Sequence, residues 1–300
     1  MTKQTHDKNG VFHVLAVAAL FSLAWLVFLK LTAIRASLGE SNFQSNIIRA
    51  DDYFYGSEKT AALIGTSITG RLLPEYFQQQ GVAVANLGLD GCIPRTGIEL
   101  VLKKRKLPQT VFVEARNDLH EPRGNDIEIL GFVEGITFKL GRWLPLMRAD
   151  ARPSSIFYSW VKKKNDARQN SLIAPIGSGA LDGNKAGSVT TSVSLFEVGH
   201  VPIVEQATAD MQNALATLSA RGVRVVLMRL PVGGHDPRKA GDPPDVTDRF
   251  AAALSLEVLD VASILRERGV PVGFSDGTHM IAPSAREAAK VICENLKAKK

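Results

Sequence analysis

Short apolar runs of strand length recur along this chain with helix-period stretches between them, and this alternation limits the possible folds more than any other feature. Residues 61–65, 82–87, 110–114, 223–230 and, more weakly, 256–261 are the strand candidates. Between the second and third, Ile98, Val101 and Leu102 share one helical face, closed by Lys103, Lys104, Arg105 and Lys106 at the end that cations favour. Ahead of the fourth, Ile203, Ala207, Met211, Ala214, Leu215 and Leu218 recur at helical steps until Gly222 stops the run. Near the end, Ser284-Ala285-Arg286-Glu287 has the form of a capping box, followed by Ala288, Val291, Ile292 and Leu296 on one helical face. The expected fold is therefore α/β, a three-layer sandwich in which helices cover both faces of a central parallel sheet.

The amino terminus sets a second constraint. Residues 11–34 are apolar with only His13 and Lys30 as ionisable interruptions, and at ~1.5 Å per residue they can cross a ~30 Å hydrocarbon core. A transmembrane anchor is the expected reading. A cleaved signal peptide has a shorter apolar core, of about 7–15 residues, and Arg35 interrupts the small residues Ala33 and Ala36; a buried core helix is the third alternative. The expected organisation is a tail over 1–10, the anchor over 11–34, a linker over 35–58 and a folded domain over 59–300. Within that domain, residues 119–202 are too long for one connection. They hold Trp143, Phe157, Tyr158 and Trp160 and a Gly/Ser-rich piece over 176–192, and read as an insertion that packs, covers a site, docks a partner or rests on a membrane.

The net charge is +6, with basic clusters at 103–106 and 162–164. These are solvated helix ends or attractants for anionic lipid or polysaccharide, where a cation near a bilayer gains about 1 kcal/mol. Nucleic acid is not an expected partner of a chain that begins with a span. The two cysteines, Cys92 and Cys293, form no metal or disulfide pattern, and Cys92 reads as a small buried group.

Three strand candidates run into short polar stretches: Gly65-Thr66-Ser67-Ile68-Thr69, Asn86-Leu87-Gly88-Leu89-Asp90-Gly91 and Ala115-Arg116-Asn117-Asp118. Open α/β sheets bind ligands beyond the carboxyl ends of their strands. A fourth stretch, Asp276-Gly277-Thr278-His279, precedes the last helix. A serine hydroxyl becomes a nucleophile when a histidine takes its proton and a carboxylate steers that histidine. The three-residue step from Asp276 to His279 suits such steering. Singly, each of these residues has a plain structural explanation as a cap, turn or surface group; His235, after the fourth strand, is a rival base. His6, His13, His120 and His200 read as structural or incidental, and no cluster or glycine loop suggests a metal or cofactor.

Taken in order, the four blocks resemble those of the SGNH, or GDSL-type, hydrolase family. Thr66 stands where that family's first block has aspartate, and Ala115 where its third has glycine; neither change removes a reacting group. The resemblance implies a flavodoxin-like SGNH-hydrolase fold, with Ser67 as nucleophile, His279 as base and Asp276 as its partner. It implies an oxyanion hole made by the amides of Ser67 and Gly91 and the side chain of Asn117, with no cofactor and no metal. The chain is similar to anchored members that O-acylate, commonly O-acetylate, an extracytoplasmic polysaccharide or cell-wall polymer beside a multispanning membrane-bound O-acyltransferase. A carbohydrate or lipid esterase and a non-catalytic subunit of an acylation complex are the alternatives. Flanking charge does not orient the anchor, but this function implies a bacterial-type inner membrane with the domain in the periplasm.

Overall fold

A computed structural model describes residues 8–32, 34–115, 122, 124–172, 201–233 and 245–298. Strands β1 (Ala61–Gly65), β2 (Val84–Gly88), β3 (Thr110–Glu114), β4 (Arg224–Arg229) and β5 (Glu257–Asp260) form one sheet in the order β2-β1-β3-β4-β5, every pair parallel. Helices α1 (Lys8–Thr32) and α2 (Asn42–Tyr55) precede β1, while α3 (Ser67–Gly70) and α4 (Pro74–Gln78) lie between β1 and β2. Then α5 (Pro94–Leu102) leads to β3, and α6 (Asn125–Glu134), α7 (Ile136–Leu140), α8 (Pro153–Leu172) and α9 (Val201–Ala220) lie between β3 and β4. Finally α10 (Val246–Leu254) precedes β5, and α11 (Val261–Glu267) and α12 (Ala282–Lys297) follow it.

Strand side chains alternate between two apolar layers, which is why these strands read as continuous apolar runs. Ala62, Ile64, Ala85, Leu87, Val111, Val113, Val225 and Leu227 meet α2, α5, α6, α9 and α10 on one face. Ala61, Leu63, Val84, Phe112, Val226 and Met228 meet α3, α4, α11 and α12 on the other. Leu215 and Leu218 of α9 are fully buried, worth about 1.5–3 kcal/mol each.

Two local expectations are corrected. The 35–58 segment, expected as a linker that packs down onto the domain, is largely the helix α2, with Ile47, Ile48, Ala50 and Tyr53 in the core. The capping-box reading of Ser284 also fails. Helix α12 starts earlier, with Pro283 in its first turn, and the Ser284 hydroxyl accepts the Gly273 amide at 2.8 Å instead.

The described part of 119–202 packs on α2 through an aromatic cluster. Phe138 lies 5.3 Å from Phe54, 5.0 Å from Tyr55 and 5.7 Å from Phe132, centroid to centroid, and accepts the Tyr55 hydroxyl on its carbonyl at 2.6 Å. Two 3-10 turns, Pro145–Met147 and Ala149–Ala151, then lead into α8. The Gly/Ser-rich stretch at 176–192 lies outside the described residues.

Helix α1 is long and apolar enough to cross a membrane: an 18-residue window within Gly10–Thr32 has a mean hydropathy of 2.4. It is not a core helix, since its apolar side chains are exposed along most of its length. Its last turns touch the domain, where Leu29 is buried and the Trp25 indole N–H donates to the Ala151 carbonyl at 2.8 Å.

Candidate active site

The order of the sheet reverses between β1 and β3, and in doubly wound sheets the crevice above such a reversal receives the ligand. Thr66 leaves β1 in extended conformation and caps α3, its hydroxyl accepting the Ile68 amide at 3.3 Å. Ser67 is thus the first residue of that short helix, raised above the strand end. Beneath it lies a buried carboxylate. Glu114, the last residue of β3, accepts the Thr66 and Thr69 amides at 2.9 and 3.3 Å and the Thr69 hydroxyl at 2.6 Å, all on Oε2. The Thr66 hydroxyl reaches both of its oxygens, at 3.0 and 3.1 Å.

His279 arrives from the opposite end of the sequence. Residues 274–280 form a small loop closed by a bridge between Phe274 and Met280, with the Ser275 amide donating to the His279 carbonyl at 2.8 Å. Gly277 turns this loop at φ +77°, a left-handed conformation that costs glycine nothing. The turn brings Asp276 back on itself, so that Oδ1 accepts the Thr278 and His279 amides at 3.1 and 2.8 Å. Its Oδ2 lies 2.7 Å from His279 Nδ1, and His279 Nε2 lies 2.8 Å from Ser67 Oγ. A proton held on Nδ1 by the carboxylate leaves the Nε2 lone pair facing the serine hydroxyl. The backbone amide of His279 is the main cause holding the Asp276 carboxyl down at about 2.

Gly91 lines the same cavity as Ser67 and His279. It follows β2 at φ +70°, and a Cβ there would stand 2.6 Å from Asn125 Nδ2. Among the described residues, neither the Ser67 amide nor the Gly91 amide meets a hydrogen-bond acceptor. Asn117 lies outside the described residues, as do His6, His120, His200 and His235. Ser67, His279, Asp276 and Gly91 are therefore the named site residues that the structure brings together.

Neither a family model nor a curated protein matches the chain. What the site can do follows from its own atoms. The cavity measures about 640 Å³ and is lined in nearly equal parts by polar and apolar groups, with Ser41, Asn42, Arg71, Tyr158 and Lys162 among the first and Leu38, Leu73, Phe274, Met280 and Ile281 among the second. Asn46 and Arg49 of α2 brace the Gly91 turn. Asn46 donates to the Asp90 carbonyl at 3.0 Å and accepts its amide at 2.8 Å, while Arg49 pairs with the Asp90 carboxylate at 3.2 Å and donates to the Gly88 carbonyl. Asn86, inside the second block, ties β2 to α3 by donating to the carbonyls of Thr69 and Leu72 at 3.1 and 2.7 Å.

Sequence reasoning assigned no role to Glu114, Asn46, Arg49 or Asn86. The available signal was a charged residue closing an otherwise apolar strand and an asparagine heading the second block. Cys92 is buried, and burial pushes its thiol well above the usual range, which suits packing and opposes nucleophilic use. Among the described residues no group of three or more His, Cys, Asp or Glu side chains is arranged to hold a metal ion. The arrangement can deprotonate a serine at a carbonyl carbon and offer backbone donors to the oxyanion that forms.

Proposed function

We propose that this chain is a membrane-anchored, serine-dependent O-acyltransferase of the SGNH type that its four sequence blocks resemble. It transfers an acyl group, most simply acetyl, to hydroxyls of an extracytoplasmic polysaccharide or cell-wall polymer. The carrying observation is the hydrogen-bonded series from Asp276 through His279 to Ser67, at 2.7 and 2.8 Å, opening on a cavity of mixed polar and apolar lining.

In this reading Ser67 Oγ attacks the donor's carbonyl carbon as its proton passes to His279 Nε2. The amides of Ser67 and Gly91 stabilise the oxyanion, and each such donor is worth about 2.7–4 kcal/mol; Asn117 joins them by the resemblance alone. Collapse of the intermediate expels the donor's leaving group, which takes the proton from Nε2. An acceptor hydroxyl then gives its proton to the same nitrogen and attacks the acyl-serine, and collapse breaks the bond to Ser67 Oγ, which takes that proton back as Ser67 is freed. Hydroxyl, amide and aromatic groups around the cavity offer a sugar acceptor hydrogen bonds and ring faces, and Leu38, Leu73, Met280 and Ile281 offer apolar contact to the acyl group.

Helix α1 would hold the domain at a bacterial-type inner membrane, with the tail in the cytoplasm, the domain in the periplasm and a multispanning membrane-bound O-acyltransferase supplying the acyl group. An esterase is the second reading. It is favoured by the exposure of the Asp276 carboxylate, half open to solvent, which admits water beside the base.

The test is to treat the detergent-solubilised chain with a chromogenic acetyl ester and look by peptide mass for one acetyl group on Ser67. The release rate with and without candidate glycans separates transfer from hydrolysis. An unchanged rate in Ser67→Ala would refute both enzymatic readings. A variant that still supports polymer acylation in cells would point to a non-catalytic subunit.

A further inference from the structure

Outside α1, large exposed apolar side chains concentrate on the 119–202 segment. Trp143 is 75% exposed, Phe157 65%, Trp160 59% and Leu144 51%. Trp143 and Leu144 immediately precede the two 3-10 turns, and Phe157 and Trp160 follow them on α8. Among the described residues, α1 touches the domain at these turns.

That contact sets a depth. Trp25 lies about two turns, or ~10 Å of rise, before Thr32, and its indole holds the Ala151 carbonyl. A span of this length exceeds a ~30 Å hydrocarbon core by only a few ångströms. With Thr32 at the edge of that core, a group bonded to Trp25 lies up to ~10 Å on the membrane side of it, so this corner of the domain meets the bilayer boundary rather than standing clear of it. A second tie fixes α8. Just past the end of α1, the Ser37 and Leu38 amides donate to Ser159 Oγ at 3.2 and 3.0 Å, and that hydroxyl donates to the Leu38 carbonyl at 2.7 Å. Even fully extended, the stretch from Thr32 to Leu38 reaches no more than about 20 Å.

Helix α8 presents three faces. Ser155 and Ser159 are buried against the 38–40 segment, Tyr158 and Lys162 line the Ser67 cavity, and Phe157 and Trp160 face outward. A cation accompanies each outer tryptophan: Lys164 Nζ stands 5.4 Å from the Trp160 ring centroid, and the Arg142 guanidinium 5.4 Å from that of Trp143. Tryptophan settles at headgroup level, and basic groups beside it attract anionic lipid.

We propose that the outer face of α8 and the Trp143-Leu144 corner rest in the anionic headgroup layer of the bilayer that α1 spans, so that the mouth of the Ser67 cavity lies along the membrane surface. This inference rests on the reading of α1 as a membrane anchor.

The test places a single cysteine at Phe157, at Trp160 or, as a reference, at Lys297, and labels it with an environment-sensitive fluorophore. The native Cys92 and Cys293 are buried, and Lys297 ends α12 about 22 Å of helix away from the cavity-lining Ala282. Full-length proteins that melt with the parent are reconstituted in mixed phosphatidylcholine and phosphatidylglycerol vesicles carrying a headgroup-proximal spin-labelled lipid. Labels at 157 and 160 are expected to be blue-shifted and quenched several-fold more than the label at 297, the excess shrinking when phosphatidylglycerol is omitted. Equal quenching at all three positions, in protein that still floats with carbonate-washed vesicles, would overturn the α8 contact and leave the anchor standing. Protein that washes off overturns both.

Discussion

Replacing Glu114 by glutamine tests how Ser67 is held in place. The carboxylate is only 2% exposed and takes four donors from Thr66 and Thr69, the shortest being the Thr69 hydroxyl at 2.6 Å. A hydrogen bond to a charged acceptor is worth about 1.5–3 kcal/mol and a neutral one about 0.5–1.5, so the amide forfeits roughly 1 kcal/mol per bond. One orientation keeps the amide oxygen at the Oε2 position, where the two backbone N–H groups converge, and turns its NH2 toward the Thr66 hydroxyl, which can accept. The fold therefore survives. The bonds share one acceptor and do not add fully, so the expected loss is about 2–4 kcal/mol, or a melting point lower by about 5–10 °C.

Thr66 caps the helix that begins with Ser67, so loosening it moves the hydroxyl that stands 2.8 Å from His279 Nε2. A displacement of about 1 Å costs on the order of 10²-fold in rate. Glu114→Gln is accordingly expected to lower kcat for a chromogenic acetyl ester by about 10- to 100-fold, with KM little changed. The assay pairs thermal unfolding with ester turnover for Glu114→Gln, Thr69→Val and the double variant in detergent. Parent-like stability and rate in Glu114→Gln, or single effects that add to within about 0.3–0.5 kcal/mol, would refute the reasoning.

Gly91→Ala forces a left-handed residue to carry a Cβ 2.6 Å from Asn125 Nδ2; a stability loss of about 1–2 kcal/mol is expected, and a fall of 10²–10³ in ester turnover if this amide serves the oxyanion. The Asp276 carboxyl is lowered from 3.8 to about 2, so its interactions are complete above about pH 4 and disappear only as the pH falls toward 2. The pH–rate profile should therefore show no inflection from Asp276 above pH 4, and Asp276→Asn should lower kcat across the whole range. Asp51 behaves oppositely. Burial, with Asp150 adding to it, raises its carboxyl from 3.8 to about 7, so the folded form holds a proton that the unfolded form releases between those values and stability falls as the pH rises through them. Asn at this position still accepts the Ala149 amide that Asp51 takes at 2.7 Å; its melting point should be flatter between pH 4 and 7 than the parent's.

The sheet was legible because burial on both faces leaves an unbroken apolar run. Residues 61–65 and 110–114 coincide with β1 and β3, whereas the second strand was read early. Val82 instead closes the α4 turn by donating to the Phe77 carbonyl at 3.0 Å, and Gly88, which carries no side-chain signal, ends β2. Helix α2 was read as linker for a related reason. Its polar residues face inward to serve the site and the joint with residue 149, Asn46 and Arg49 holding the Gly91 turn and Asp51 the Ala149 amide, so its composition looks solvated. The proposed reacting groups Ser67, Asp276 and His279 stood out because such chemistry demands particular side chains, two of them at short spacing and the third at a strand end. Glu114 did not, since its role depends on a pairing between distant segments. The parallel register sets Ile64 beside Val113, which brings the next residues, Gly65 and Glu114, together, and a Cβ on Gly65 would stand 2.4 Å from Glu114 Oε2. Threonine at position 66 fits that register. A hydroxyl donates to a carboxylate lying beneath it, whereas a second carboxylate at 66 would have faced Glu114 as a like charge in a buried site.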